Sequence, residues 1–342
     1  MTSTSTATVP RQRYLNEQGL SLPIAVFLAT DHYDHNNTPN TISATALLKP
    51  LRQLILSQRV PLSESVVDVS SQFASRIGTA IHDGIEKAWQ ENYQTAMISL
   101  GYPEKVINRI RLNPTSEQLA QNKQIIPVYF EQRVSRTIEV DGVDFTITGK
   151  FDFIADGGVK DFKSMTTYKY TKNLGTDKFI KQGSIYRWLE PNLITRDVFE
   201  IIYIFLDWKA HEAYKPDYPK HNIVSETYAL KSQQETDKMV RDKLSQIIHY
   251  RDLPESDLPL CSKEDLWQDD PVWKYYKDRN KTSGKSTKNF TNSAEAYARL
   301  SKDGNTGLVK EVPSQAKACK YCPAFPICTQ KDDLIRSGAL QL

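Results

Sequence analysis

The chain lacks any hydrophobic run long enough to cross a membrane, and its polar start, MTSTSTATVPRQR, lacks the apolar core of a secretory signal. Both absences predict an intracellular, cytoplasmic protein with no membrane partner. Cysteine is scarce, with four in 342 residues. In a reducing compartment four thiols point to a metal or cluster rather than to disulfides. A strong charge of either sign is missing as well, since 44 Lys and Arg against 41 Asp and Glu leave a net charge of +3. Any nucleic-acid surface must therefore be local. No internal repeat is present. With 39% hydrophobic and 25% charged residues, the chain has the make-up of an ordinary globular protein, long enough for one large domain with additions or for two.

Hydrophobic periodicity divides the chain. Residues 1–40, rich in Thr, Ser, Asn and Asp, read as a flexible N-terminal arm. Its DHYDH motif (31–35) has no hydrophobic support and reads as a solvated loop. Helical spacing runs through 42–59, with Pro50 marking a boundary or a kink. It resumes in SSQFASRIGTAIHDGIEKAWQENYQTAMISLGY and breaks near Gly101–Tyr102–Pro103. From about 127 to 164 the period changes to two, with turn signals at Asp141–Gly142 and Gly157–Gly158. A helix (about 177–190), a strand (198–208), a strand (223–230) and a helix (232–251) follow. This order predicts an α/β domain with a mixed sheet over 41–253, then a region over 254–342 that carries a cysteine cluster and packs on that core.

Within the stretch of period two, GKFDFIADGGVKDFKS places Asp152, Asp161 and Lys163 in segments hydrophobic enough to be core. Residues two apart in a strand share a face, so Asp161 and Lys163 lie opposite Phe162, and Asp152 lies opposite Phe151 and Phe153. Folded about their turn, the strands bring two carboxylates together, where they repel unless a cation sits between them. Oxygen ligands of this kind suit Mg²⁺ or Mn²⁺. A lysine beside the metal can orient a water or stabilise charge on a phosphate. A surface hairpin with an Asp–Lys pair accounts for the segment equally well. Two helical pairs at spacing four shift the balance: His82 with Glu86, and Gln182 with Tyr186.

Taken in order, GTAIHDGIE, GKFDFI, DFKS and QGSIY resemble the RecB-type branch of the PD-(D/E)XK nuclease superfamily. The resemblance covers roughly residues 42–208. It implies a restriction-endonuclease-like core, a mixed central sheet flanked by helices, and a metal-dependent DNA nuclease, most readily an exonuclease in recombination or DNA processing. On that resemblance His82, Asp152, Asp161 and the Phe162 backbone carbonyl bind Mg²⁺ or Mn²⁺. Lys163 positions the attacking water, and Gln182 with Tyr186 contacts the DNA strand. Glu86 stands as a supporting acid or a solvent-facing one, and Glu131, in VYFEQR, as a structural strand residue or a supporting acid. Phage members of the group act with a single-strand annealing protein, which makes one the implied partner. The rival readings are a structure-specific endonuclease with the same site and a non-catalytic, cluster-stabilised DNA-binding module. Polarity, strand preference and oligomeric state are not encoded in the motifs.

CKYCPAFPIC supplies Cys319, Cys322 and Cys328, and Cys261 is the remaining cysteine. Four thiolates suit zinc or an iron–sulfur cluster, and spacing alone does not choose. The triplet resembles that of the iron–sulfur RecB-type nucleases, which implies a 4Fe–4S cluster ahead of Zn²⁺. Those proteins supply the first cysteine before the nuclease core, whereas Cys261 follows it. In WKYYKDRNKTSGKSTK, Lys274, Lys277, Arg279, Lys281 and Lys285 alternate with aromatic rings, as a single-strand DNA groove or a solvated loop would have them. The GKST within it is no phosphate loop, because Arg279 stands where the first glycine belongs.

Overall fold

The computed structural model describes residues 13–30, 38–61 and 66–341. Its strands, in chain order, are β1 (Arg13–Leu15), β2 (Thr41–Ser43), β3 (Val66–Asp68), β4 (Ile110–Leu112), β5 (Ile126–Val140), β6 (Val143–Ala155), β7 (Gly158–Met165), β8 (Val198–Phe205), β9 (Ile223–Ala229), β10 (Val272–Tyr276), β11 (Lys288–Phe290) and β12 (Leu308–Val312). The alternating stretch of the sequence becomes the meander β5–β6–β7. Both of its turns are two residues long. Asp141 and Gly142 close the first at φ +49° and +77°, and Asp156 and Gly157 close the second at +50° and +69°. Two successive positive φ values are what a tight hairpin needs to match the right-handed twist of its strands.

The sheet runs β4-β5-β6-β7-β8-β9, with β2 on β6. β4–β5, β7–β8 and β2–β6 are parallel, while β5–β6, β6–β7 and β8–β9 are antiparallel. It is the mixed α/β sheet that the element order predicts. Helices cover both faces. On one face Phe130, Phe153 and Phe162 pack with Trp89, Tyr93 and Met97 of the helix Phe73–Ser99. Gly101, at φ +83°, closes that helix, and the Tyr102 N–H returns to the Met97 carbonyl at 3.0 Å. On the other face lies the helix Thr176–Leu189. A Cβ at Gly183 would stand 2.8 Å from the Phe199 ring, so only glycine lets this helix come so close to β8.

The chain divides into two compact units, and the division differs from the expected domains. The larger unit is Tyr14–Lys49 with Val67–Ile248; the smaller joins Pro50–Val66 to His249–Leu342. Pro50 is indeed a boundary, but the helix Leu51–Arg59 that follows it belongs with the C-terminal region. The expectation of a flexible arm over 1–40 also needs correction for residues 13–30. The helix Leu22–Ala29 buries Leu28, whose carbonyl accepts from Arg76 Nε at 3.1 Å, and the Glu17 N–H donates to Asp68 Oδ2 at 2.8 Å. The DHYDH motif lies outside the described residues. Among the described residues no helix is long and apolar enough to cross a membrane.

The smaller unit contains the three-stranded antiparallel sheet β11-β10-β12. Tyr275, Phe290 and Ala296 form its core with the helix Ser293–Lys302. A second small core, Leu266, Ala316 and Leu340, lies against Cys261 and Cys319.

Candidate active site

The site forms where β7 parts from β6. Their ladder holds only from Phe153↔Lys160 to Ala155↔Gly158, after which β7 runs beside β8. Asp152 and Asp161 follow the last paired residues, so they face each other across the fork. The Phe162 N–H, which has left the ladder, donates instead to Asp152 Oδ2 at 2.9 Å. That bond satisfies a backbone donor and fixes the carboxylate.

His82 reaches the fork from the helix Phe73–Ser99. Its Nε2 lies 3.0 Å from the Phe162 carbonyl, and its Nδ1 lies 3.5 Å from Asp152 Oδ1 and 3.8 Å from Glu131 Oε1. Ligand atoms of His82, Glu131 and Asp152 all lie within 4.8 Å of one another. Glu131 thus lies with His82 and Asp152, the arrangement that the supporting-acid alternative needs. It sits at φ +52°, inside a strand. A left-handed backbone costs a non-glycine residue about 1–2 kcal/mol, and here it accompanies a carboxylate turned to the fork and paired with Lys150.

Asp161 is fully buried, at 0% exposure. Its Oδ2 lies against the Lys163 ammonium but accepts no well-directed hydrogen bond. Its Oδ1 is 3.4 Å from Gln182 Nε2, which also donates to the Tyr186 hydroxyl at 2.6 Å. Tyr186 is only 3% exposed and lies beneath Gly149, where a Cβ would meet its ring at 3.0 Å. The expected contact between Tyr186 and DNA is therefore corrected. Tyr186 is a positioning residue that holds Gln182, which in turn holds Asp161. Glu86 accepts from Gln90 Nε2 at 2.8 Å and lies near Glu131, whose charge adds to burial in raising the Glu86 pKa.

The electrostatics are those of crowded acids. Burial first, then the charge of Asp161, pushes the Asp152 pKa up to about 7. Burial pulls the His82 pKa down, but Glu131, Asp152 and Asp161 overcome it and raise it to about 9. Burial likewise opposes the charge on Lys163, yet Asp161 and Asp152 win and hold it above the usual lysine value. Lys163 is therefore an ammonium. For Glu131, hydrogen bonds from His82 and Lys150 outweigh burial and keep the carboxyl below its ordinary value. One imidazole, two carboxylates and a carbonyl converge here, with the buried Asp161–Lys163 pair beside them. This donor set fits a hard divalent cation.

The four cysteines gather in the smaller unit. The Cys261 N–H donates to Gln330 Oε1 at 2.9 Å, and Gln330 Nε2 donates back to the Cys261 carbonyl at 2.9 Å. Burial first, with Asp265 and the neighbouring thiols, raises the Cys261 pKa to about 12; burial, Cys322 and Cys328 raise that of Cys319 to about 11. Arg52, from the helix before the core, donates through Nε to Cys328 Sγ at 3.3 Å. Among the described residues no three of these sulfurs lie within 4.8 Å of one another.

The basic stretch lies in the hairpin β10–β11. Lys274 stands directly opposite Lys310 of β12. Arg279 is exposed and donates to the Thr306 and Asn305 carbonyls at 3.2 and 3.3 Å. Lys281 pairs with Asp278 at 3.7 Å, and Lys277 and Lys285 are exposed. GKST joins two antiparallel strands, with no helix after it.

No protein-family model matches the sequence, and no curated protein matches it. Among solved structures, SSO0001 is similar over 65% of this chain and 83% of its own, at 18% identity and a TM-score of 0.40. LHK-Exo, solved in complex with dAMP, is similar over 60% of this chain and 90% of its own, at 11% identity and a TM-score of 0.28. A phage-related exonuclease from Haemophilus somnus 129PT is similar over 60% of this chain and 90% of its own, at 14% identity and a TM-score of 0.24. Likenesses at these TM-scores carry no part of the functional reading, which rests on the side chains above.

Proposed function

We propose that the chain is a metal-dependent deoxyribonuclease, and that the fork between β6 and β7 is its active site. The observation that carries this reading is the convergence of His82, Glu131 and Asp152 on one point beside the buried Asp161–Lys163 pair. His82, Glu131, Asp152, Asp161 and the Phe162 carbonyl are the groups that would hold Mg²⁺ or Mn²⁺. When bound, the cation supplies Lewis acidity at a phosphate and makes water a competent nucleophile near neutral pH. Lys163, kept cationic by its two acids, donates to the attacking water and to the phosphate oxygens, where charge grows in the transition state. Gln182 and Tyr186 keep Asp161 in place through the 3.4 and 2.6 Å contacts.

The order of motifs, which resembles that of RecB-type nucleases, supports DNA as the substrate and exonucleolytic action in recombination or processing. A phage-type single-strand annealing protein is the matching partner. The test is cleavage of end-labelled single- and double-stranded linear DNA and of covalently closed circles, with Mg²⁺, Mn²⁺ or EDTA. Metal-dependent loss of linear DNA that spares circles is expected. Cut circles would make the enzyme an endonuclease, and bound but intact DNA under every condition would remove the catalytic reading.

In the smaller unit we propose a 4Fe–4S cluster on Cys261, Cys319, Cys322 and Cys328. The resemblance of the Cys319–Cys322–Cys328 triplet to that of iron–sulfur RecB-type nucleases supports this cluster ahead of a zinc ion, which four thiolates also suit. Its role is to clamp a unit whose own cores are small. Anaerobically purified protein should bind four iron atoms and lose them in Cys328→Ser; bound zinc without iron would overturn the assignment.

A further inference from the structure

One cavity in the larger unit takes no part in the chemistry above. It has a volume of about 400 Å³, and its walls include Tyr170, Phe179, Tyr203, Glu226 and Tyr228. Lys163 Nζ lies 5.2 Å from the centroid of the Phe179 ring, and Tyr203 is the β8 residue directly opposite Lys163. Ile201 pairs with Glu226, and Phe199 with Tyr228. Tyr203, Glu226 and Tyr228 therefore stand on the sheet face that carries Asp161 and Lys163. From β7 to β9 the distance is two strand spacings, about 10 Å, the reach of one nucleotide from its phosphate to the far edge of its base.

The lining decides what fits. Glu226 accepts from the hydroxyls of Tyr170 and Tyr228, and the Tyr228 and Tyr203 hydroxyls meet at 3.1 Å. A carboxylate has room for further donors beyond these two. Asp217 adds to its charge and Lys169 offsets one of the two, so the lining is acidic on balance and disfavours a second anionic group. A purely aliphatic ligand would bury the carboxylate without offering it a donor. A neutral, planar heterocycle bearing N–H groups satisfies both the rings and the acid, and the volume is at the small end of ligand sites.

We propose that this cavity is a base subsite, taking one nucleobase of the strand whose phosphate lies at Lys163. Tyr170 and Phe179 offer it aromatic surface, and Glu226 accepts from its N–H groups. The proposal rests on the nuclease reading, and its test separates the two.

Single-stranded oligonucleotides with one 2-aminopurine at stepped positions are mixed with the full chain in Ca²⁺, a hard cation that the same acids can hold. Fluorescence should be quenched at one position above all others. In Tyr170→Leu and Phe179→Leu that quenching should be lost and binding weakened by about 5- to 150-fold, the range for losing one base–aromatic stack. Tyr170→Phe keeps the ring and should keep the quenching, which separates stacking from misfolding. Equal quenching at every position, or identical quenching in wild type and both leucine variants, would overturn the subsite. Cleavage of the same strands in Mg²⁺ is scored separately. Position-specific quenching without cleavage removes the nuclease reading and keeps the subsite; cleavage without it does the reverse.

Discussion

Replacing Arg52 with methionine probes what holds the smaller unit together. The guanidinium is 3% exposed. It donates to the Leu258 carbonyl at 3.0 Å, the Glu255 carbonyl and Cys328 Sγ at 3.3 Å, and Thr329 Oγ1 at 3.4 Å, and it pairs with the Glu255 carboxylate. Methionine fills much of the volume but makes none of these bonds. Each carbonyl left unsatisfied costs about 1–3 kcal/mol. The Glu255 side chain is 21% exposed and also accepts from Thr329, so it can partly rehydrate. Its share then falls at or below the lower end of the buried-pair range, about 3 kcal/mol. A net loss of about 3 kcal/mol would lower the urea midpoint by roughly 1–3 M. Arg59, two turns further along the same helix, donates to the Arg251 and Leu253 carbonyls at 2.8 Å from a half-buried position. Water can replace it, and Arg59→Met should cost no more than about 1 kcal/mol. Urea unfolding followed by circular dichroism, with bound iron measured in parallel, compares the two. Equal shifts would refute the reasoning, because the buried guanidinium would then hold no more than its half-exposed neighbour.

Two further outcomes concern the larger unit. Glu131→Gln leaves the backbone unchanged but removes a charge from the fork, and titration should show Mn²⁺ binding weakened by about 10- to 100-fold. Unchanged affinity would return Glu131 to a structural role. Gly183→Ala places a Cβ 2.8 Å from the Phe199 ring and must push the helix Thr176–Leu189 off the sheet. The expected cost is about 1–3 kcal/mol, read as a lower melting temperature, together with a loss of activity as Gln182 withdraws from Asp161.

Much of this was legible in the sequence, for identifiable reasons. The meander announced itself through period two and through Asp–Gly and Gly–Gly turn chemistry, so Asp152, Asp161 and Lys163 could be placed on facing strands. His82 and Gln182 were visible as members of motifs, though their meeting at the fork is a tertiary fact. The place of Glu131 stays open in the sequence because glutamate gives no sign of a positive φ, unlike the Asp–Gly pairs in the turns. Tyr186 was misjudged because its helix is buried continuously from Gln182 to Leu189, so no polar stripe marks a solvent face. The joining of Pro50–Val66 to His249–Leu342 depends on contacts about 200 residues apart, which periodicity does not record. Residues 13–30 look like a linker in composition, yet a few specific bonds hold them.

The proposed function makes Lys163 and the acids beside it a metal-dependent phosphodiesterase site. It is tested most directly by the initial rate of DNA cleavage in Mn²⁺ for wild type and for Lys163→Ala, with DNA affinity and melting temperature measured on both. The account predicts cleavage that EDTA abolishes and that the substitution lowers by about 100- to 1,000-fold, with DNA still bound and the fold intact. Equal rates in the two folded proteins would contradict it.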